Sequence, residues 1–356
     1  MDWQQMELQK IIEKIEPLDE TSRERSARKW NSIAKPLHSL GKLEDDVMKI
    51  AGMIRDENVR IDKKALVIMC ADNGVVEEGV TQTGQEVTAI VAENFLKGNT
   101  SAAIMCKSAG VDICPIDIGM ASDTKVPARK CAYGTRNMAK GPAMTRAQAE
   151  EAIFTGIQLV REKKEAGYQI LATGEMGIGN TTTSSAVSSV LLGILVEVMT
   201  GRGAGLTSAG LERKIQVIET AIELNRPEKE DPVDVLAKVG GYDLAGLAGV
   251  FLGGAYYQIP VVIDGFISAV AALTAAKLCG YAKDYMIASH VSKEPGMHLV
   301  LEALGLSPAL TCDMCLGEGT GAVAFLPVLD MAVEVYQKMS TFSDIEIEDY
   351  EELGDK

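Results

Sequence analysis

From residue 65 onward, short apolar runs alternate with segments of helical periodicity, and this alternation constrains the fold more than any other feature of the sequence. The apolar runs cover 65–71, 111–118, 168–173, 259–263 and 285–289. The helical segments between them cover 86–96, 146–163, 211–224 and 266–278. Strands that are joined by helices favour a parallel sheet with helices on both faces. We therefore predict a Rossmann-like α/β fold.

The two ends of the chain predict a second, smaller unit. Apolar residues recur at helical spacing in two N-terminal stripes, which are Ile11, Ile12, Ile15 and Leu18, and then Val47, Ile50 and Met53. We predict a helical segment at 1–60, an α/β nucleotide-binding catalytic domain at 61–322, and C-terminal helices at 323–356. The first and last segments are expected to form a small helical domain together.

Charge and cysteine usage limit the partners and the compartment. The formal net charge of −15 makes nucleic acid and anionic membranes poor partners, because an acidic surface repels both. The seven cysteines are odd in number and irregular in spacing, which argues against a disulfide framework. The N-terminus lacks the basic and apolar regions of a signal peptide, and no apolar stretch is long enough to span a bilayer. We expect a cytoplasmic protein.

Polar and glycine-rich residues follow the predicted strands, at the edge of a parallel sheet where ligands bind. They lie at 71–74, 173–177, 264–266 and 289–290. The segment 173–185 has three glycines and several hydroxyls before a helix, so it fits either a phosphate site or a tight turn, and we weigh the two equally. The loop 201–206, followed by Lys214, fits the same phosphate, although taken alone it is better explained as a flexible loop.

Two further segments carry candidate chemistry. Glu318 is flanked by Gly317 and Gly319, and a carboxylate on such a loop can act as a base in a partly dry pocket, although an exposed turn is the simpler alternative. The residues after Asp72, up to position 88, can line a pocket or form ordinary turns. Cys312-Asp313-Met314-Cys315 has no partner pair, so a zinc site is not expected.

Together these segments resemble the nicotinate-nucleotide:dimethylbenzimidazole phosphoribosyltransferase family over nearly the whole chain. The matching motifs lie at 35–36, 39–44, 71–72, 85–88, 141–145, 174–182, 201–203, 214, 240–241, 259–266, 289–290, 294–296, 316–321 and 339–342. Each motif alone is modest, but their order and spacing as a set are specific. The resemblance implies that nicotinate mononucleotide gives its phosphoribosyl group to a benzimidazole nitrogen, forming α-ribazole 5′-phosphate and nicotinate for the nucleotide loop of cobalamin.

The same resemblance implies the roles of individual residues. Glu318 matches the family's catalytic base, and Glu175 matches a second acid that supports Glu318 or the ribose hydroxyls. The phosphate and nucleotide are expected on Gly177, Gly179, Asn180, Thr181, Thr182, Gly203, Lys214, Asp264 and Ser292. The base pocket is expected to include Thr81, Gln85 and Leu316. No metal and no cofactor are implied, and the enzyme is expected to be a homodimer.

Two departures from the family pattern affect the expected base pocket. Asn73 stands where members often carry His, and the segment 81–84 replaces a loop that often holds an aromatic residue and a proline. Adenine or a phenolic base therefore stays open as the acceptor. A non-catalytic nucleotide-binding paralogue is the alternative from another class, although it would not need Glu318 as a base.

Overall fold

The structure, a computed structural model, describes residues 8–350 and is built around a five-stranded parallel sheet. The strands are β1 (Lys64–Ala71), β2 (Val111–Gly119), β3 (Ile170–Met176), β4 (Val261–Ile263) and β5 (Met286–Ala288). Their spatial order is β2-β1-β3-β4-β5, and each neighbouring pair runs parallel. The strand order switches between β1 and β3, so a crevice is expected beyond the carboxyl ends of these two strands.

Helices connect the strands and continue at both ends of the described chain. In chain order they are α1 (Leu8–Ile12), α2 (Glu20–Ser32), α3 (Lys42–Ile54), α4 (Glu86–Lys97), α5 (Ser101–Ala109), α6 (Arg146–Glu165), α7 (Asn180–Leu192), α8 (Val196–Met199), α9 (Ser208–Asn225), α10 (Pro232–Val239), α11 (Tyr242–Tyr257), α12 (Phe266–Leu278), α13 (Met297–Leu304) and α14 (Thr320–Lys338). Within residues 8–350, none of them is long and apolar enough to cross a membrane.

Helices cover both faces of the sheet. Every side chain of β1 is buried, and successive side chains of a strand point to opposite faces, so neither face of β1 meets solvent. Helix α11 packs against α6 and against four of the strands, while α4 packs against β1, β2 and β3. The predicted α/β fold with a parallel sheet is therefore confirmed.

The local predictions were accurate where the periodicity was clear. All five apolar runs contain strands, and the four helical segments correspond to α4, α6, α9 and α12. A capping box begins α6, because the Thr145 side chain accepts the backbone N–H of Gln148 and the Gln148 side chain accepts that of Thr145. The prediction that the first apolar stripe, from Ile11 to Leu18, lies on one helix was wrong. Helix α1 ends at Ile12, and the chain is irregular before Pro17 because a proline disfavours helix at the residue that precedes it.

The N- and C-terminal helices lie next to each other. Helix α14 packs against α3, and the Tyr336 hydroxyl donates to the carbonyl oxygen of Glu57 at 2.8 Å. Helix α14 also packs against α5 and β3. The division into segments 1–60, 61–322 and 323–356 stays a prediction, and residues 1–7 and 351–356 lie outside the described residues.

Candidate active site

A cleft of about 220 Å³ opens beyond the carboxyl ends of the strands, and all but two of the predicted site residues line it. Those that do are Thr81, Glu175, Gly177, Gly179, Asn180, Thr181, Gly203, Lys214, Asp264, Ser292, Leu316 and Glu318. They come from separate stretches of sequence, which the parallel sheet brings to one edge. The site is therefore assembled by the topology rather than by any single motif.

One end of the cleft carries the groups that can hold an anion. Lys214 reaches in from α9, and its Nζ donates to Thr181 Oγ1 at 2.8 Å and to the Gly201 carbonyl oxygen at 3.1 Å. Burial lowers the pKa of Lys214 to about 8, although the Glu294 carboxylate opposes this shift. Ser292 Oγ is buried without a hydrogen-bond partner in the described chain, so it is available to a ligand.

The anion end also contains the beginning of α7. Gly179 has a φ of +95° and lets the chain turn from β3 into that helix, where the N-terminal dipole favours negative charge. Glu294 lies at the same end, and burial is the main cause that raises its pKa. The Lys214 charge and the backbone N–H of Gly203 oppose this rise. A phosphate bound at this end would therefore use donors that also interact with Glu294. The carboxyl group of Glu294 is protonated more easily than that of an ordinary glutamate.

The loop of Glu318 forms the other side of the cleft and has an unusual backbone. Gly317, Glu318 and Gly319 have φ values of +84°, +60° and +86°, so three consecutive residues are left-handed. A left-handed glutamate is strained, and such strain is concentrated at functional positions. Strand β3 approaches this loop closely, because a Cβ on Gly174 would lie 2.7 Å from the Glu318 carbonyl oxygen.

The Glu318 side chain has the properties of a proton acceptor. It is half-buried, and its Oε2 is buried without a hydrogen-bond partner in the described chain. Burial raises the pKa of the carboxyl group above its ordinary value, while the backbone N–H of Ala102 opposes the rise. A carboxylate with one unpartnered oxygen and a raised pKa in a cleft can take a proton from a ligand.

Asp264 holds the Glu318 loop in place. Its Oδ1 accepts the backbone N–H groups of Gly321 at 2.8 Å and Ala322 at 3.0 Å, and its Oδ2 accepts that of Gly319 at 3.2 Å. A carboxylate at the end of β4 thus caps the N-terminus of α14. Asp264 was predicted to bind nucleotide, and it does line the cleft, but both of its oxygens are committed to the protein backbone.

Glu175, the second predicted acid, contacts the same loop. Its Oε1 accepts the backbone N–H of Glu318 at 3.3 Å, and its Oε2 accepts Nδ2 of Asn180. Burial, followed by the charge of Asp243, raises the pKa of Glu175 to about 8. Near neutral pH this carboxyl group is therefore mostly protonated, and it can donate a hydrogen bond to a ligand.

Asp243, which was not predicted from the sequence, lies behind Glu175. Asn180 Nδ2 donates to Asp243 Oδ2 at 3.1 Å, so Glu175, Asn180 and Asp243 form one buried polar network. A signal was present, because Asp243 is the one charged residue of the otherwise apolar α11. A lone charge in a buried helix requires a partner, and that requirement could have identified it.

Two predicted residues do not line the cleft. Thr182 lies in the first turn of α7, where its hydroxyl is buried without a hydrogen-bond partner in the described chain and its backbone N–H donates to the Gly179 carbonyl oxygen at 2.9 Å. The Gln85 side chain donates to the Asn73 carbonyl oxygen at 3.0 Å and so anchors the turn after β1. The Gln85 side chain is thus engaged with the protein, and the ligand contacts predicted for Thr182 and Gln85 stay predictions.

Within residues 8–350, no group of three or more His, Cys, Asp and Glu side chains is arranged to hold a metal ion. Cys312 and Cys315 are both exposed and free, and Cys315 lies at the rim of the cleft. The cleft's own side chains supply anion binding at the Lys214 end and a carboxylate that can accept a proton at the Glu318 loop.

Comparison with known proteins gives consistent results over nearly the whole chain. A family model described as "Phosphoribosyltransferase" (DBI_PRT) matches residues 15–347. The nicotinate-nucleotide–dimethylbenzimidazole phosphoribosyltransferase of Acetivibrio thermocellus is 52% identical over 327 residues, which are 91% of this chain and 93% of the relative. The protein of the same name from Ruminiclostridium cellulolyticum is 48% identical over 351 residues, covering 98% of this chain and 100% of the relative.

A solved structure is also similar. The crystal structure of nicotinate-nucleotide-dimethylbenzimidazole phosphoribosyltransferase from Thermus thermophilus superposes with a TM-score of 0.87 at 36% sequence identity. The match covers 93% of this chain and 99% of that one. The similarity therefore extends to the three-dimensional fold as well as to the sequence.

Proposed function

Because the chain belongs to the phosphoribosyltransferase family whose model matches residues 15–347, we propose that it transfers the phosphoribosyl group of nicotinate mononucleotide to 5,6-dimethylbenzimidazole. The products are α-ribazole 5′-phosphate and nicotinate, and the reaction supplies the nucleotide loop of cobalamin. Relatives that cover almost the whole chain carry the name of this activity. The observation that carries the proposal is that one cleft contains both a set of anion-binding groups and a half-buried carboxylate with one unpartnered oxygen.

The 5′-phosphate of the nucleotide is assigned to the end of the cleft that contains Lys214. The Lys214 ammonium supplies a positive charge, and Thr181 and Ser292 supply hydroxyl groups. The beginning of α7 adds the favourable end of a helix dipole. A phosphate fixed there leaves the ribose and its C1′ carbon directed along the cleft toward the Glu318 loop.

Glu318 is assigned as the general base. During transfer, the bond between C1′ and the pyridinium nitrogen breaks, and nicotinate leaves with the electron pair. A ring nitrogen of the benzimidazole uses its lone pair to form the new bond to C1′. The other ring nitrogen then loses its proton to the free Glu318 carboxylate oxygen, so that the riboside product is neutral at the ring.

The acceptor base is assigned to the side of the cleft formed by Thr81 and Leu316. Leu316 lines the cleft and is 56% exposed, so its side chain offers apolar surface that an aromatic ligand would cover. Met176 and Phe266 add apolar surface to the same cleft. Glu175 is assigned to the ribose hydroxyls, because it lies between the anion end and the Glu318 loop and is bonded to both Asn180 and Glu318.

A single assay tests this function. The purified protein is incubated with nicotinate mononucleotide and, separately, with 5,6-dimethylbenzimidazole, benzimidazole, adenine or phenol, and released nicotinate and riboside phosphate are measured by mass spectrometry. We expect turnover with 5,6-dimethylbenzimidazole. Nucleotide binding without nicotinate release for any base would reject the enzyme. Turnover with only adenine or phenol would retain the transfer reaction and replace the acceptor.

We further propose that the protein is a cytoplasmic homodimer. Large apolar side chains are exposed on several surface segments, including Leu195 at 72%, Met331 at 61% and Ile104 at 59%, and such surface often marks a subunit contact. All seven cysteines are free, which suits a reducing compartment. Light scattering should give twice the chain mass of 38.1 kDa, and a monomer at micromolar concentration would refute the dimer.

A further inference from the structure

Asp243 is a buried carboxylate to which the proposed reaction gives no role. It is the second residue of α11 and is fully buried. Its Oδ1 accepts the backbone N–H of Leu244 at 3.0 Å, and its Oδ2 accepts the Asn180 side chain, so its hydrogen bonds come from neutral amides. A buried carboxylate without a cation destabilises the fold, and its presence beside the cleft therefore calls for a functional explanation.

A single nitrogen atom joins Asp243 to Glu175. Asn180 Nδ2 donates one hydrogen to Asp243 Oδ2 at 3.1 Å and the other to Glu175 Oε2. Because both neighbours are acceptors, the NH₂ group of Asn180 rather than its oxygen must face them. Asn180 opens α7 at the end of the Gly179 turn, so the helix fixes the position of the bridging amide.

The chain of contacts continues to the base. Glu175 Oε1 accepts the backbone N–H of Glu318 at 3.3 Å, which leaves one connected path from Asp243 through Asn180 and Glu175 to the Glu318 loop. Asp243 itself does not line the cleft. We infer that Asp243 is a positioning residue, which fixes the orientation and the protonation state of Glu175 through the side-chain amide of Asn180.

The charges around Glu175 support this inference. Asp243 on α11 and Asp264 after β4 both face it, Glu318 contacts it through its backbone, and Cys70 on β1 is close enough to interact. Burial raises the pKa of Asp243 to about 6, and burial together with the Asp243 charge raises that of Glu175 to about 8. The pair therefore shares one proton near neutral pH, and that proton lies mainly on Glu175.

This inference rests on the proposed function, and Asp243→Asn tests it by removing the charge while keeping the size of the side chain. The pH profile of kcat is first measured for the wild type and for Glu175→Gln. The limb that is missing in Glu175→Gln is assigned to Glu175. In Asp243→Asn we expect that limb to move down by about one pH unit, because a neighbouring negative charge has been removed. We also expect kcat to fall about 10- to 100-fold, while KM for nicotinate mononucleotide changes less than about threefold.

Asp46→Asn is the matched control. Asp46 is also a buried aspartate, but it lies on α3 and pairs with Lys42 outside the cleft. A pH limb that does not move in Asp243→Asn, or that moves equally in Asp46→Asn, would overturn the positioning role.

Carboxyl ¹³C NMR of the wild-type protein decides the question if Asp243→Asn does not fold. The Glu175 signal, assigned by its absence in Glu175→Gln, should titrate in two steps because it senses the proton on Asp243. A single step near the ordinary value of 4.5 would refute the coupling. This measurement needs no turnover. If the protein were inactive with every base, the proposed function would be rejected, but the titration would still show whether Asp243 and Glu175 are coupled.

Discussion

The carboxylate of Asp264 accepts the backbone N–H of Gly321 at 2.8 Å. Asp264 follows β4 and Gly321 lies in the first turn of α14, so this bond joins the edge of the sheet to the helix that follows Glu318. The Glu318 loop is therefore held from both directions, by Asp264 on one side and by Glu175 on the other.

Glu318→Gln should abolish most of the turnover. The amide keeps the size of the side chain but cannot take the proton of the acceptor base, so we expect kcat to fall about 10²- to 10⁴-fold. Binding of nicotinate mononucleotide, measured by calorimetry, should stay within about threefold of the wild type because the phosphate end is unchanged. Glu302→Gln, at an exposed position on α13, is the control. Full activity of Glu318→Gln would remove it from the role of base.

Asp264→Asn should misplace the base and destabilise the protein. A neutral amide is a weaker cap for the three backbone N–H groups at the start of α14 and loses its charge at the helix N-terminus, which costs about 1–3 kcal/mol. We expect a lower melting temperature and a kcat reduced about 10- to 100-fold. Asp330→Asn, which breaks a partly exposed ion pair with Lys64, should reduce stability only. An unchanged kcat in Asp264→Asn would limit Asp264 to helix capping.

Lys214 should make nucleotide binding sensitive to alkaline pH. Its pKa is lowered to about 8, so the ammonium is charged below that pH and becomes neutral above it. A phosphate binds the charged form, and KM for nicotinate mononucleotide should therefore rise as pH increases from about 7.5 to 9.5. Lys214→Arg should remove most of this rise, because a guanidinium stays charged throughout the range. An equal rise in both proteins would mean that another group controls it.

Glu175 should make the protein less stable as pH rises. Its pKa is about 8 in the folded state against an ordinary value of 4.5, so between these values the folded state binds more protons than the unfolded state. Stability contributed by this group is present below pH 4.5 and is lost as pH rises toward 8. Melting curves from about pH 5 to 8 should show a steeper fall for the wild type than for Glu175→Gln, and parallel curves would contradict the raised pKa.

Much of the fold could be predicted because its signals are local. The strands are short apolar runs that end in turns, and helices such as α9 and α12 follow with clear boundaries. Helix α11 could not be recognised from periodicity, because residues around its whole circumference are buried. It therefore has no polar face that would give the sequence an amphipathic pattern. Burial of that kind depends on α6 and the sheet, which approach α11 only in the folded state.

The candidate site was only partly visible in the sequence for a related reason. Glu318 and Lys214 could be proposed from their motifs, because glycine-rich loops mark close approach to a ligand. Asp243 lies far from those motifs in sequence, and only the fold brings it to Asn180. Gln85 stands in a plausible motif, but tertiary packing sets the direction of its side chain, which donates to the Asn73 carbonyl oxygen.

The close approach of Gly174 to the Glu318 carbonyl oxygen also limits how this enzyme can evolve. Even the methyl group of an alanine at position 174 would lie 2.7 Å from that oxygen and 3.0 Å from the Gly319 nitrogen, so it would displace the loop. Position 174 can therefore acquire a side chain only together with a change in loop 317–319. In a library that varies both regions, their effects on activity should be strongly interdependent, although they are more than a hundred residues apart in sequence.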